Sequence, residues 1–209
     1  KLGKLDDTRY TLIQSACQAI RAGELAEHFP LAVWQTGSGT QTNMNVNEVL
    51  GNRANELLTG HKGADRVHPN THVNMCQSSN DVFPTAASLV LYRETGGLLD
   101  ALATLEAAVR ERMEALGPVV RIGRTCLQDA VPLTFGQSLS GYASLLERTG
   151  TQIAAFRKRS ATGILGATAV GTGIGVQPGF MQRIYRNLSS ITGLPVRRNP
   201  NPFDGMQNS

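Results

Sequence analysis

The chain has 209 residues, 41% hydrophobic and 17% charged, which is enough apolar material for one or two globular domains. Its net charge of +4 is small, its basic residues are scattered apart from Arg157-Lys158-Arg159 and Arg197-Arg198, and aromatics at 5% give no stacking platform, so no nucleic-acid partner is expected. No apolar run reaches the roughly 18 to 20 residues of a membrane span, so no membrane partner is expected either; the basic sign suits a site that attracts a small acidic metabolite.

The predicted elements are helical. Asp6 or Asp7 caps a helix to about Arg21, with Leu12, Ile13, Ala16, Cys17 and Ile20 on one face. Residues 31 to 45, rich in glycine and small polar groups, read as loop. A second helix is expected from about Asn47 to Leu58, stopped by Gly60. Residues 60 to 78 form a polar connector containing Pro69. The next helix starts near Asp81 with Pro84 in its first turn, and Gly96-Gly97 interrupts or kinks it. It continues through Leu98, Leu99, Leu102, Leu105, Val109, Met113 and Leu116 at 3-4 spacing, until Gly117-Pro118. Residues 121 to 134 read as irregular. A long helix from about Phe135 to Ser160 carries Leu139, Tyr142, Leu145, Leu146, Thr149, Ile153 and Phe156 as its stripe, and a last helix spans roughly Gly179 to Thr192 before Gly193. No strand pattern competes. Helices of about 25 residues belong to bundles more than to compact domains. The expected fold is therefore mainly α: a smaller loop-rich helical domain over residues 1–76, then a long-helix bundle over 77–209.

Three isolated cysteines, Cys17, Cys76 and Cys126, make neither a disulfide framework nor a zinc pattern and suit a reducing compartment, so a cytoplasmic protein is expected. The opening Lys1-Leu-Gly-Lys-Leu-Asp6 reads as the interior of a protein, and the chain stops at Gln207-Asn208-Ser209 without a tail. It is expected to be a piece of a longer chain, lacking material at both ends.

Four polar clusters carry the chemistry. In Gln35-Thr-Gly-Ser-Gly-Thr-Gln-Thr-Asn43, glycines let backbone N–H groups approach a ligand while Ser38 and Thr40 add hydroxyls; the plainer reading is a polar turn. Ser78-Ser79-Asn80-Asp81 puts neutral donors at a helix start, beside free N–H groups and a positive dipole end, a good place for a carboxylate. Its plainer reading is an N-cap by Asn80 or Ser79. Gly123-Arg-Thr-Cys-Leu-Gln-Asp-Ala130 packs a cation, hydroxyl, thiol, amide and carboxylate into one short stretch. Its plainer reading is an Arg124–Asp129 ion pair with Cys126 as a small buried hydrophobe. Gly163-Ile-Leu-Gly-Ala-Thr-Ala-Val-Gly-Thr-Gly173 follows no strand, so it reads as close packing or a tight turn, not a dinucleotide fingerprint. His68 and His72 are separated by Pro69 and have no third ligand nearby, so no metal is expected.

Together these segments resemble the class II fumarase and aspartase superfamily. Phe29-Pro-Leu-Ala-Val-Trp-Gln-Thr-Gly-Ser-Gly-Thr-Gln-Thr-Asn-Met-Asn-Val-Asn-Glu-Val49 and Gln77-Ser-Ser-Asn-Asp-Val-Phe-Pro-Thr85 look like class II fumarase; Gly123–Pro132 and Gly166–Gly173 match the shared pattern. The resemblance implies a homotetramer built on a bundle of long helices, with each active site shared among subunits. It implies anti elimination from a small dicarboxylate to give fumarate, through an aci-carboxylate dianion held by hydrogen-bond donors, without a cofactor or metal. Carried over by position, Ser38, Gly39, Thr40, Ser78, Ser79, Asn80 and Thr125 would bind substrate. A second dicarboxylate site would fall on His68, Pro69, Asn70 and Thr71, where the family's usual acidic residue is replaced by Thr71. Cys126 stands where fumarases carry a catalytic histidine that helps activate water. The family's serine loop is expected beyond residue 209, so the chain alone is expected to be inactive. Trp34, the Ser-Gly-Thr-Gln loop and Ser79 favour hydration of fumarate to malate. Cys126, Val131 and Met206-Gln-Asn-Ser209 lean toward aspartate ammonia-lyase, and Cys126 also motivates a catalytically impaired scaffold homologue.

Overall fold

The computed structural model describes residues 3–32, 34–35, 39–63 and 65–208. It is mainly helical, as the sequence implies, with α1 (Asp7–Arg21), α2 (Thr40–Thr59), α3 (Ser79–Leu116), α4 (Phe135–Ser160), α5 (Phe180–Thr192) and α6 (Pro202–Gln207). Among the described residues four short strands accompany them: β1 (Val120–Thr125), β2 (Gln128–Thr134), β3 (Thr162–Gly163) and β4 (Arg197–Arg198). Chain contacts divide it into two units, residues 1–89 with 162–209, and residues 90–161. Residues 76 and 77, on either side of the division expected from sequence, both lie in the first unit.

In the first unit, the Asp6 carboxylate accepts the Arg9 N–H and starts α1 where expected. Small residues let α1 and α2 approach closely: Ala16 and Ala54 are fully buried, with Val49 and Leu50 beside them. Helix α2 begins seven residues before the expected Asn47, at Thr40, so the supposed loop of residues 31–45 ends in helix. The apolar pattern concealed this, because the inward face of the first two turns carries asparagines. Asn43 and Asn47 are buried, and both donate through Nδ2 to Asn74 Oδ1, at 3.4 and 3.1 Å. Gly60 ends α2 in the left-handed region at φ 76°, as expected. The connector of residues 60–78 contains a single π-helical turn, Pro69–Val73, capped by His68.

A second small core closes the first unit. Leu165, Tyr185 and Val196 are buried together, flanked by Val82, Leu89, Ile184 and Leu188. The Tyr185 hydroxyl donates to the Leu165 carbonyl at 3.0 Å, satisfying the polar end of a buried ring. Helix α5 lies between Gly179 and Gly193, both left-handed. The glycine-rich stretch makes tight turns, as expected, but it does follow a strand, the two-residue β3, which pairs in parallel with β4.

The second unit is a helical hairpin with a β-arm. Helix α4 spans the residues its stripe predicts, and Thr134 and Gln137 form a reciprocal capping box at its start. Helix α3 runs unbroken through Gly96-Gly97, against the expected interruption. The Arg157 guanidinium lies over the Tyr92 ring at 4.2 Å and 3.5 Å from where a Gly96 Cβ would stand. Gly96 therefore leaves room for a cation. Half-buried residues repeat at heptad-like spacing along α3 (Tyr92, Leu99, Leu102, Val109, Met113) and α4 (Leu139, Leu146, Ile153). A separate apolar row of α3, Leu91, Leu98 and Leu105, recurs every seventh residue and is about half exposed, as are Tyr142 and Leu145 of α4.

Residues 120–134 form an antiparallel hairpin where an irregular segment was expected. Its strands carry arginines and Pro132, and its turn lacks the Asn-Gly signal, so the sequence concealed it. A bulge falls between Ile122 and Arg124, where a Gly123 Cβ would meet the Val131 carbonyl at 2.7 Å.

Candidate functional site

The opening of α3 is built around a carboxylate. Ser78 caps the helix, in place of the expected Asn80 or Ser79: its Oγ accepts the Asn80 N–H at 3.2 Å, and its own N–H donates to Asp81 Oδ1 at 3.0 Å. The other Asp81 oxygen, Oδ2, accepts the N–H groups of Gly166 and Thr168 at 3.0 and 2.8 Å. Asp81 is fully buried. Burial pushes its carboxyl above the usual carboxylate range, and the N–H groups of Ser78, Thr168 and Gly166 oppose that rise. Thr85, one turn on and also buried, accepts the Ile164 N–H at 3.0 Å and donates to the Asp81 carbonyl at 2.7 Å. The start of α3 and residues 164–168 are thus joined through two side chains of one helix face.

The two joined segments both line a cleft of about 600 Å³, with Asn74, Cys76, Ser78, Ser79, Thr168 and Thr172 among its residues. Cys76 and Thr168 have left-handed backbones, at φ 64° and 59°. For β-branched Thr168 that conformation is costly, and its bond to Asp81 helps to hold it. Asn80 adds a further tie between the same two segments by donating from Nδ2 to the Ala169 carbonyl at 2.9 Å. Ser79 Oγ accepts from Asn43 Nδ2 at 2.8 Å, which leaves the hydroxyl hydrogen to donate.

Of the first polar cluster, Ser38 lies outside the described residues. Gly39 is buried at the start of α2, φ 72°, and Thr40 is the first, exposed residue of that helix. Asn43, one turn on, reaches Ser79, so the structure brings the start of α2 to the start of α3.

Thr125 and Cys126 belong to the second unit. Thr125 pairs with Gln128 across a two-residue turn, Cys126-Leu127, with φ 49° and 65°. That is the conformation of a tight hairpin turn, usually filled by Asn-Gly. Cys126 is exposed at this tip and not buried as the plainer reading held; the expected Arg124–Asp129 pair is present at 3.0 Å, exposed on both sides.

His68, Pro69, Asn70 and Thr71 form the turn before α3. His68 Nδ1 accepts the N–H groups of Asn70 and Thr71, each at 3.2 Å, so those two donors face the ring. The His68 N–H donates to His72 Nδ1 at 2.8 Å; burial, then the Arg9 and His68 charges, lower the His72 pKa.

The sequence marks Asp81 only as a member of the polar cluster near the helix start, and its role emerges in the structure. Its partners stand 85 and 87 positions away, so no local pattern exposes them. The available signal was a carboxylate at the third helical position, the acidic half of a capping box.

The long-helix hairpin and the helix-start cleft of neutral donors belong to a mainly helical fold. Residues 1–209 match the family described as Lyase, and the chain belongs to that family. It is 45% identical over 208 residues to a class II fumarate hydratase of Campylobacter jejuni, covering 99% of this chain and 45% of that protein. A second class II fumarate hydratase, of Bradyrhizobium diazoefficiens, is 47% identical over 208 residues, 99% of this chain and 44% of that one. Among solved structures, the class II fumarase of Schistosoma mansoni superposes with a TM-score of 0.83 at 39% identity, covering 98% of this chain and 46% of that one. The chain therefore spans about half the length of the curated relatives it matches.

Proposed function

We propose that the full-length protein is a lyase that hydrates fumarate to malate, reversibly. The observation that carries the reading is the cleft at the start of α3, where Ser78, Ser79 and Asn80 meet the turn of residues 166–169, in a chain about 45% identical to class II fumarate hydratases. In this reaction hydroxide adds to one alkene carbon and a proton to the other. Before protonation the carboxylate next to the carbanion carries extra charge. Donors fixed before the reaction stabilise that charge without having to reorganise. Ser79 is suited to be such a donor, because Asn43 holds its oxygen and leaves its hydroxyl hydrogen to donate. Gly39, Thr40 and Thr125 are proposed further substrate contacts, with Ser38. His68, Pro69, Asn70 and Thr71 are proposed as a second dicarboxylate site. Replacing Ser79 by Ala in the full-length enzyme should lower kcat/KM for fumarate by roughly 10²-fold or more, the usual cost of one such donor. A loss of under about three-fold would remove Ser79 from the site.

A second reading, aspartate ammonia-lyase, rests on Cys126, an exposed thiol where the resemblance expects a water-activating histidine. Cys126→His is expected to raise fumarate hydration; unchanged turnover would mean that the hairpin tip takes no part in activating water.

The proposed assembly is a homotetramer with active sites shared among subunits. Its support is the row Leu91, Leu98 and Leu105, which offers a neighbouring helix an apolar seam at heptad spacing. The proposed location is the cytoplasm, in keeping with three cysteines outside any disulfide. No described helix is long and apolar enough to cross a membrane.

A further inference from the structure

We propose that Asp81 is a positioning residue for the reaction, setting the spacing of the two walls of the cleft; this rests on the fumarate reading above. One wall is the first turn of α3, with Ser78, Ser79 and Asn80. The other is the turn Gly166–Ala169, whose Thr168 lines the same cleft. Asp81 binds both at once: Oδ1 takes the Ser78 N–H, and Oδ2 takes the Gly166 and Thr168 N–H groups. The side chain is fully buried, so it serves the reaction only through these backbone groups. Two features make the arrangement sensitive. Ser78 supplies both the helix cap and a lining residue, so a shift of its N–H moves the hydroxyls next to it. Thr168 is held in a left-handed conformation that a β-branched residue does not choose by itself. Without the Oδ2 bonds it would relax, and the Ala169 carbonyl, which takes the Asn80 side chain, would move with it.

Thr85 provides a matched control. It is buried on the same helix face and ties the same two segments, through the Ile164 N–H and the Asp81 carbonyl, but it does not line the cleft. If Asp81 acted only as packing, the two residues would be equivalent.

The test compares Asp81→Asn and Thr85→Val in the full-length enzyme, with KM and kcat for fumarate and the melting temperature measured for each. The amide of Asp81→Asn keeps one acceptor and turns an NH2 group toward backbone N–H donors. The expected result is a KM raised about ten-fold or more in Asp81→Asn, as small misplacements of binding groups produce. Thr85→Val should lose melting temperature yet keep its KM within about two-fold. Equal KM shifts in the two variants, or an unchanged KM in Asp81→Asn, overturn the proposal. A second measurement uses the parent enzyme and needs no variant. Saturating fumarate should slow hydrogen exchange at the Gly166 and Thr168 amides together with that of Ser78. Protection confined to the start of α3 overturns the coupling. A parent enzyme that does not turn over fumarate overturns the functional reading itself, an outcome distinct from an active parent with equivalent variants.

Discussion

Replacing Asp81 by Ala is expected to cost the full-length protein about 3–5 kcal/mol of stability, because it leaves three backbone donors without their acceptor, at about 1–3 kcal/mol for each buried one. The two bonds to Gly166 and Thr168 are buried and the Ser78 bond is partly so, so water can replace only one of them readily. The loss should appear as a lower urea midpoint at a fixed protein concentration with little change in slope. Asp81→Asn, which keeps an oxygen at the same place, should lose less. A loss below about 1 kcal/mol for Asp81→Ala would mean that the turn of residues 166–168 is held by its own conformation.

The second large effect is expected at Gly39. Its φ of 72° lies in the left-handed region, and a Cβ there would stand 2.2 Å from Phe83 Cδ1 and 2.3 Å from Cγ. These atoms lie at the base of a ring, so a terminal rotation does not clear them. Gly39→Ala therefore combines a left-handed backbone penalty of about 1–2 kcal/mol with an overpacking cost of about 1–3 kcal/mol. The expected result is a loss of about 2–5 kcal/mol by urea unfolding, with a weaker affinity for fumarate, since the start of α2 moves away from Phe83 and the start of α3. A variant as stable as its parent would contradict the close approach of Gly39 to Phe83.

Much of the fold was legible where local chemistry and tertiary packing agree. Asp6 announced α1, the apolar stripe marked α4 from Phe135 to Ser160, and Gly179 and Gly193 bracketed α5. The start of α2 was not legible, because its inward positions are Asn43 and Asn47, polar residues satisfied by Asn74 from a segment 27 to 31 positions away. An apolar-period reading treats such a face as loop. Gly96-Gly97 misled in the other direction: the glycines mark a place for Arg157, and the helix passes through. The hairpin of β1 and β2 was hidden by charged strands and by a Cys126-Leu127 turn in a conformation those residues seldom adopt.

The candidate site was half legible. Small polar residues at a helix start identified Ser78, Ser79 and Asn80 as an anion-binding place, and the structure puts all three at the start of α3, with both serines lining the cleft. What holds them there was not legible. Asp81 depends on Gly166 and Thr168, and Ser79 depends on Asn43, and each partnership exists only after the first unit has folded.

The full-length protein is proposed to add water to fumarate. The most direct test follows the absorbance of fumarate at neutral pH with the purified full-length protein, in parallel with and without ammonium. Absorbance is expected to fall at the same rate in both, with malate as the product. Loss that requires ammonium and yields aspartate would contradict that reading.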